Sequence, residues 1–176
     1  MVILSKFAEN LFSLMQEHNL NAPALGELIN TDRTNITRYL RGERLPLYDV
    51  FTKLIEYFNV SADVLLGRVD YCDVQEFHPI QPFGTTLRRV LEETKTTQYR
   101  VIKDLQISQA TMYYWLLNDR LPTIDKLDKL ADYLDLPLDY LLGRISLRKY
   151  PLEIIPAGIS LCDNIICKQV LKFLPS

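Results

Sequence analysis

The side chains best equipped for specific polar contact crowd into the stretch Thr31–Arg44: Arg33, Thr34, Asn35, Thr37, Arg38, Arg41 and Arg44. A guanidinium presents a fixed fork of donors, a carboxamide pairs one donor with one acceptor, and a threonine hydroxyl does either. That is the chemistry of recognising phosphates and base edges, not of making bonds. Four positive charges stand here against two negative ones, Asp32 and Glu43. Across the chain, 20 Lys+Arg and 22 Asp+Glu leave a formal net charge of −2. Such a chain does not hold a polyanion by bulk charge, so a nucleic acid must be met by a local patch. Taken alone, the cluster reads equally as a solvated charged face.

Bond-making chemistry finds little support. The histidines are His18 and His78, and the cysteines Cys72, Cys162 and Cys167. No HExxH, paired CxxC, glycine-rich phosphate loop or GxSxG occurs. Neither Cys72 with His78 nor Cys162 with Cys167 supplies the roughly four ligands that zinc requires. The expectation is therefore no enzyme, no catalytic residue, no metal, no cofactor and no small-molecule ligand. No apolar run approaches the roughly 18 residues of a membrane span. Lys6 follows the first apolar residues, the wrong order for a secretory signal, which points to the cytoplasm and reduced thiols.

The positioning elements emerge when the chain is slid along itself. Residues 7–68 align with 83–144 without a gap, and 16 of the 62 pairs are identical. Arg44-Leu45-Pro46 recurs as Arg120-Leu121-Pro122, and the closing Asp63…Leu65-Leu66-Gly67-Arg68 recurs as Asp139…Leu141-Leu142-Gly143-Arg144. The expected organisation is domain one at 1–68, a linker at 69–82, domain two at 83–144 and an apolar tail at 145–176.

Within each copy the apolar period is helical. Phe7, Leu11, Leu14 and Met15 form one buried stripe, and Leu87, Val90 and Leu91 repeat it. Asn21 is a candidate N-cap, Arg33–Arg41 a helix stopped by Gly42, Tyr48–Phe58 a further helix, and Ser61–Leu66 a last one closed by Gly67. Thr123 and Pro137 mark helix starts in copy two, and Gly143 a stop. The fold class is all-α: two five-helix domains in tandem plus the tail.

The run Asn21–Gly42, followed by Arg44-Leu45-Pro46 and Ser61–Gly67, resembles the phage-repressor-type (Xre/Cro-like) helix-turn-helix family. The resemblance implies double-stranded DNA as partner and the third helix of copy one as the reading element in the major groove, with copy two either a second reader or a degenerate copy serving as a partner surface. In copy one it places Arg33, Thr34, Asn35, Thr37 and Arg38 at base edges, with Arg41 and Arg44 on phosphates. Ile36 and Tyr39 face the core. Ala22 stands where the family often carries a phosphate-contacting Gln; copy two has Gln98 there. Gln109, Thr111 and Tyr113 are the reading candidates of the third helix of copy two, which lacks basic residues. Ile102 replaces the small residue Gly26, and Gln106 the turn residue Asn30. Trp115, at the place of Tyr39, is expected in the core. Arg88, Arg89, Arg100 and Lys103 are further phosphate candidates.

In the tail, Ile166, Val170 and Leu174 repeat at helical spacing. Such a face docks on its own domain or builds a homodimer, which domain two also offers. The expected function is a sequence-specific transcriptional regulator of repressor type. The alternative is a protein-interaction module, antitoxin-like or anti-repressor, that uses the fold as scaffold.

Overall fold

The structure, a computed structural model, describes residues 2–72 and 76–146. Among the described residues there are ten helices and no strand: α1 Val2–Glu17, α2 Ala22–Leu28, α3 Arg33–Leu40, α4 Tyr48–Tyr57, α5 Ala62–Leu65, α6 Phe83–Glu93, α7 Gln98–Asp104, α8 Gln109–Leu117, α9 Ile124–Leu134 and α10 Leu138–Leu141. Contacts group them into two units. Among the described residues, one comprises 2–72 and 76–77 together with Leu121–Asp128, the other His78–Arg120 together with 129–146.

In the first unit Phe7, Leu11 and Met15 of the α1 stripe lie in the core with Leu25, Ile36, Phe51, Leu54 and Ile55, while Leu14, expected with them, is only half-buried at its edge. Asn21 caps α2, its Oδ1 accepting from the backbone N of Ala24 at 2.9 Å. Between α2 and α3 the chain turns through Asn30 at φ +53°, and the N–H of Thr31 donates to the Gly26 carbonyl at 2.8 Å. A Cβ on Gly26 would lie 2.7 Å from the Thr31 carbonyl oxygen, so this position admits no side chain without a backbone shift. α3 packs on α1 and α2, and the rings of Phe7 and Tyr39 meet edge-on at 6.2 Å. Asn10 of α1 donates to the Val64 carbonyl of α5 at 2.7 Å. The apolar residues needed for this packing recur at i, i+3 and i+4, which is why they form helices and not strands.

The second unit repeats the plan with different small residues. Thr97 caps α7 and Ser108 caps α8, each hydroxyl accepting a backbone N–H. Gln106 takes φ +52° in the turn, and the N–H of Ile107 donates to the Ile102 carbonyl at 3.1 Å. Neither Ile102 nor Gln106 prevents the turn from forming. The tight approach lies elsewhere: a Cβ on Gly84 would meet the Leu116 carbonyl oxygen at 2.4 Å, so glycine lets α6 lie against the end of α8. Trp115 is 2% exposed, edge-on to Phe83 at 6.0 Å, as Tyr39 is to Phe7.

Both copies end alike. Arg68 pairs with Asp63 at 2.9 Å, and Arg144 with Asp139 at 2.6 Å across side chains that are 2% exposed. The last residues of the expected linker are pinned to the second unit: the N–H groups of His78 and Gln81 donate to the Arg144 and Leu142 carbonyls at 2.8 and 3.0 Å. The apolar stripe of the tail and its two cysteines lie outside the described residues. No helix among the described residues is long and apolar enough to cross a membrane, and none of their His, Cys, Asp and Glu side chains gather as a metal site.

Candidate nucleic-acid interface

α3 separates its two faces as its spacing demands. Ile36 and Tyr39 are buried, while Arg33, Thr34 and Arg38 are exposed and Asn35 and Thr37 half-exposed. Asp32 occupies the N-cap position without a side-chain cap hydrogen bond, so its carboxylate acts on the helix through charge, not through the hydrogen bond its type suggests. Thr37 turns its hydroxyl back to the Arg33 carbonyl at 3.0 Å. Beside the helix start, Pro23, Gly26, Glu27, Asn30, Thr31, Asp32 and Arg33 line a shallow open depression.

The helix stops at Gly42, whose φ of +65° few other residues adopt cheaply. The N–H groups of Gly42 and Glu43 donate to the Tyr39 and Arg38 carbonyls, each at 3.0 Å. This closure reverses the chain and brings Glu43 back over the last turn. Its carboxylate lies 3.9 Å from Arg38 and 3.6 Å from Arg41. Arg44 follows: its Nη2 donates to Asn35 Oδ1 at 2.9 Å, and its guanidinium carbon stands 5.6 Å from the centre of the Tyr39 ring. Two arginines therefore share one carboxylate and a third holds a carboxamide. The guanidinium of Arg33 has no partner among the described residues.

α8 presents a different surface. Gln109 and Tyr113 are exposed, the latter by 60%, while Thr111 is half-exposed with its hydroxyl 2.8 Å from that of Ser108. Tyr114 lies edge-on to Tyr113 and under Arg120 at 4.8 Å. Leu117, at the place of Arg41, is 45% exposed. Gln98 stands exposed at the first position of α7. Two of the arginines expected near phosphates have other partners: Arg88 donates to the Leu116 carbonyl at 2.6 Å, and Arg89 covers the Tyr140 ring at 4.9 Å. Arg100 and Lys103 remain exposed. Burial and the neighbouring Asp49 and Glu56 push the Tyr48 phenol upward, and a hydrogen bond to Asp104 raises that of Tyr133. Both phenols thus stay neutral at ordinary pH.

What sequence reasoning missed is the set of ties among the charged groups. It counted Glu43 only as one of two negative charges in the patch; the structure makes it the shared partner of Arg38 and Arg41. It assigned Asn35 and Arg44 separate tasks, whereas they touch. A signal for the first was present: a helix stopped by a left-handed glycine returns the next residue toward the one five places earlier.

A short helix packed on a capped preceding helix, joined through a left-handed turn and showing a polar outer face, defines a helix-turn-helix DNA-binding domain, and this chain has two. Residues 11–65 match the helix-turn-helix family, and residues 86–146 match the Cro/C1-type HTH DNA-binding domain. The chain belongs to the Cro/C1-type (Xre/Cro-like) helix-turn-helix family, with two domains in tandem, and is by class a DNA-binding regulator. No curated protein and no solved structure matches it.

Proposed function

We propose that the chain is a sequence-specific, repressor-like transcriptional regulator of the cytoplasm that places α3 in the major groove of double-stranded DNA. The observation that carries this reading is the face of α3, where Arg33, Thr34, Asn35, Thr37 and Arg38 stand outward together above buried Ile36 and Tyr39. Arginine and asparagine are the side chains that read guanine and adenine, and threonine reads either a polar edge or a thymine methyl. Arg41 and Arg44 meet phosphates beside them. In the second domain Gln98, Gln109, Thr111 and Tyr113 supply the weaker contact, because an uncharged helix gains nothing from counterion release. The working parts are domain one at 1–68, a linker at 69–82, domain two at 83–144 and the tail, with a homodimer built through domain two or the tail.

Selection of bound duplexes from a random pool at about 150 mM salt, where charge-only binding is weakened, tests the reading. The expected result is one enriched half-site that disappears in the Arg33→Glu/Arg38→Glu chain. No enrichment, with retention lost as salt rises, would favour the protein-interaction reading, for which the uncharged face of α8 speaks. Equal binding by wild type and the double variant sinks the assignment of α3.

A further inference from the structure

Resting on that reading, we infer that Arg44 is a positioning residue for Asn35, fixing which edge of the carboxamide meets the base, and not only a clamp on the phosphate backbone. An asparagine reads adenine by accepting and donating at once, so its amide must face one way. On a half-exposed helix position nothing in the helix itself chooses between the two orientations. Arg44 does choose. Its Nη2 donates to Asn35 Oδ1 at 2.9 Å, and since a guanidinium has no acceptor, only the oxygen of the amide can sit there. The oxygen keeps a second lone pair for a base amino group, and the Nδ2 donors stay available for an acceptor on the same base.

Arg44 is itself held in place. Its guanidinium lies 5.6 Å from the centre of the Tyr39 ring, and Tyr39 is 1% exposed with its ring edge-on to Phe7. The chain reversal at Gly42 delivers Arg44 to this spot. The buried core of the domain thus reaches the base-reading amide through an aromatic ring and a planar cation. The second domain lacks the arrangement: Arg120, aligned with Arg44, covers the Tyr114 ring at 4.8 Å, and Thr111, aligned with Asn35, pairs with Ser108. Two arginines in corresponding places of the repeat have different tasks.

The test uses the full chain and the duplex enriched from the random pool, with each base pair of the half-site changed in turn. Asn35→Ala is expected to flatten discrimination at one base pair by about tenfold, the scale of a lost bidentate contact. Arg44→Gln carries both a donor and an acceptor, so it accepts either orientation of the Asn35 amide. It is expected to flatten that same base pair beyond the uniform loss of affinity that the missing charge brings at the others. The double variant should discriminate there no worse than Asn35→Ala alone. Thermal unfolding midpoints of all variants check that the domain remains folded, and Arg44→Met replaces the glutamine if that variant unfolds. If Arg44→Gln keeps full discrimination at the base pair, or weakens all duplexes equally and only lowers the salt slope, Arg44 is a phosphate contact and the inference falls. A wild-type chain with no base preference at any position would instead overturn the DNA-reading assignment itself.

Discussion

Glu43 shows how one residue tempers a basic patch. Its carboxylate is shared by Arg38 and Arg41 at 3.9 and 3.6 Å, and all three side chains are about half exposed or more. Pairs in such water contribute roughly 0–1 kcal/mol to folding, so their consequence lies in binding, where phosphates compete with Glu43 for the same arginines. Glu43→Gln is expected to raise the affinity for duplex of unrelated sequence and to steepen the fall of log K with log salt by up to about one unit. Fluorescence anisotropy across a salt series reads both. An unchanged slope would mean that Arg41 does not face the backbone of DNA. The buried pair Asp139–Arg144 behaves oppositely. Its side chains are 2% exposed, so Asp139→Ala leaves a buried cation without that partner and should cost about 3–5 kcal/mol, measured by urea unfolding.

At the scale of elements, a glycine in each domain lets a helix approach neighbouring backbone too closely for any side chain, and the two domains put it in different places. In the first it is Gly26, against the turn that launches α3; in the second it is Gly84, against the end of α8. Gly26→Ala would press a methyl group to 2.7 Å from the Thr31 carbonyl. The expected cost is about 1–3 kcal/mol of stability together with a displaced α3, so unfolding midpoint and half-site affinity should fall together. A variant that keeps both would show that the turn yields without moving α3. Ile102 at the corresponding place and Gln106 with its left-handed backbone leave the turn formed, because a turn is chosen by the packing of both helices and not by its own residues alone. Capping was easier to foresee: Asn21, read as a cap from its type, accepts the Ala24 N–H at 2.9 Å. Asp32, at the N-cap position of α3, makes no such bond.

For the whole molecule, a net charge of −2 beside a locally basic α3 predicts weak binding to arbitrary DNA and a large share of affinity from base contacts. In the full chain, Gln109→Ala/Thr111→Ala should lower affinity severalfold yet leave the enriched half-site unchanged. Loss of a distinct second half-site in that variant would make domain two a reader in its own right. The all-helical class, the doubled domain and the membership of α3 in a polar face were legible in the sequence. Each rests on local periodicity, on caps and stops, or on the alignment of residues 7–68 with 83–144, and these can be read from the order of residue types alone. The return of Glu43 toward Arg38 had a signal in the glycine stop, but the partners of Arg44 and Arg88 had none. Whether Arg44 meets Asn35 or Arg88 the Leu116 carbonyl depends on where a chain reversal or a neighbouring helix delivers a long side chain. Contacts of a few ångströms made by such flexible groups are set by packing in three dimensions, which only the tertiary structure decides.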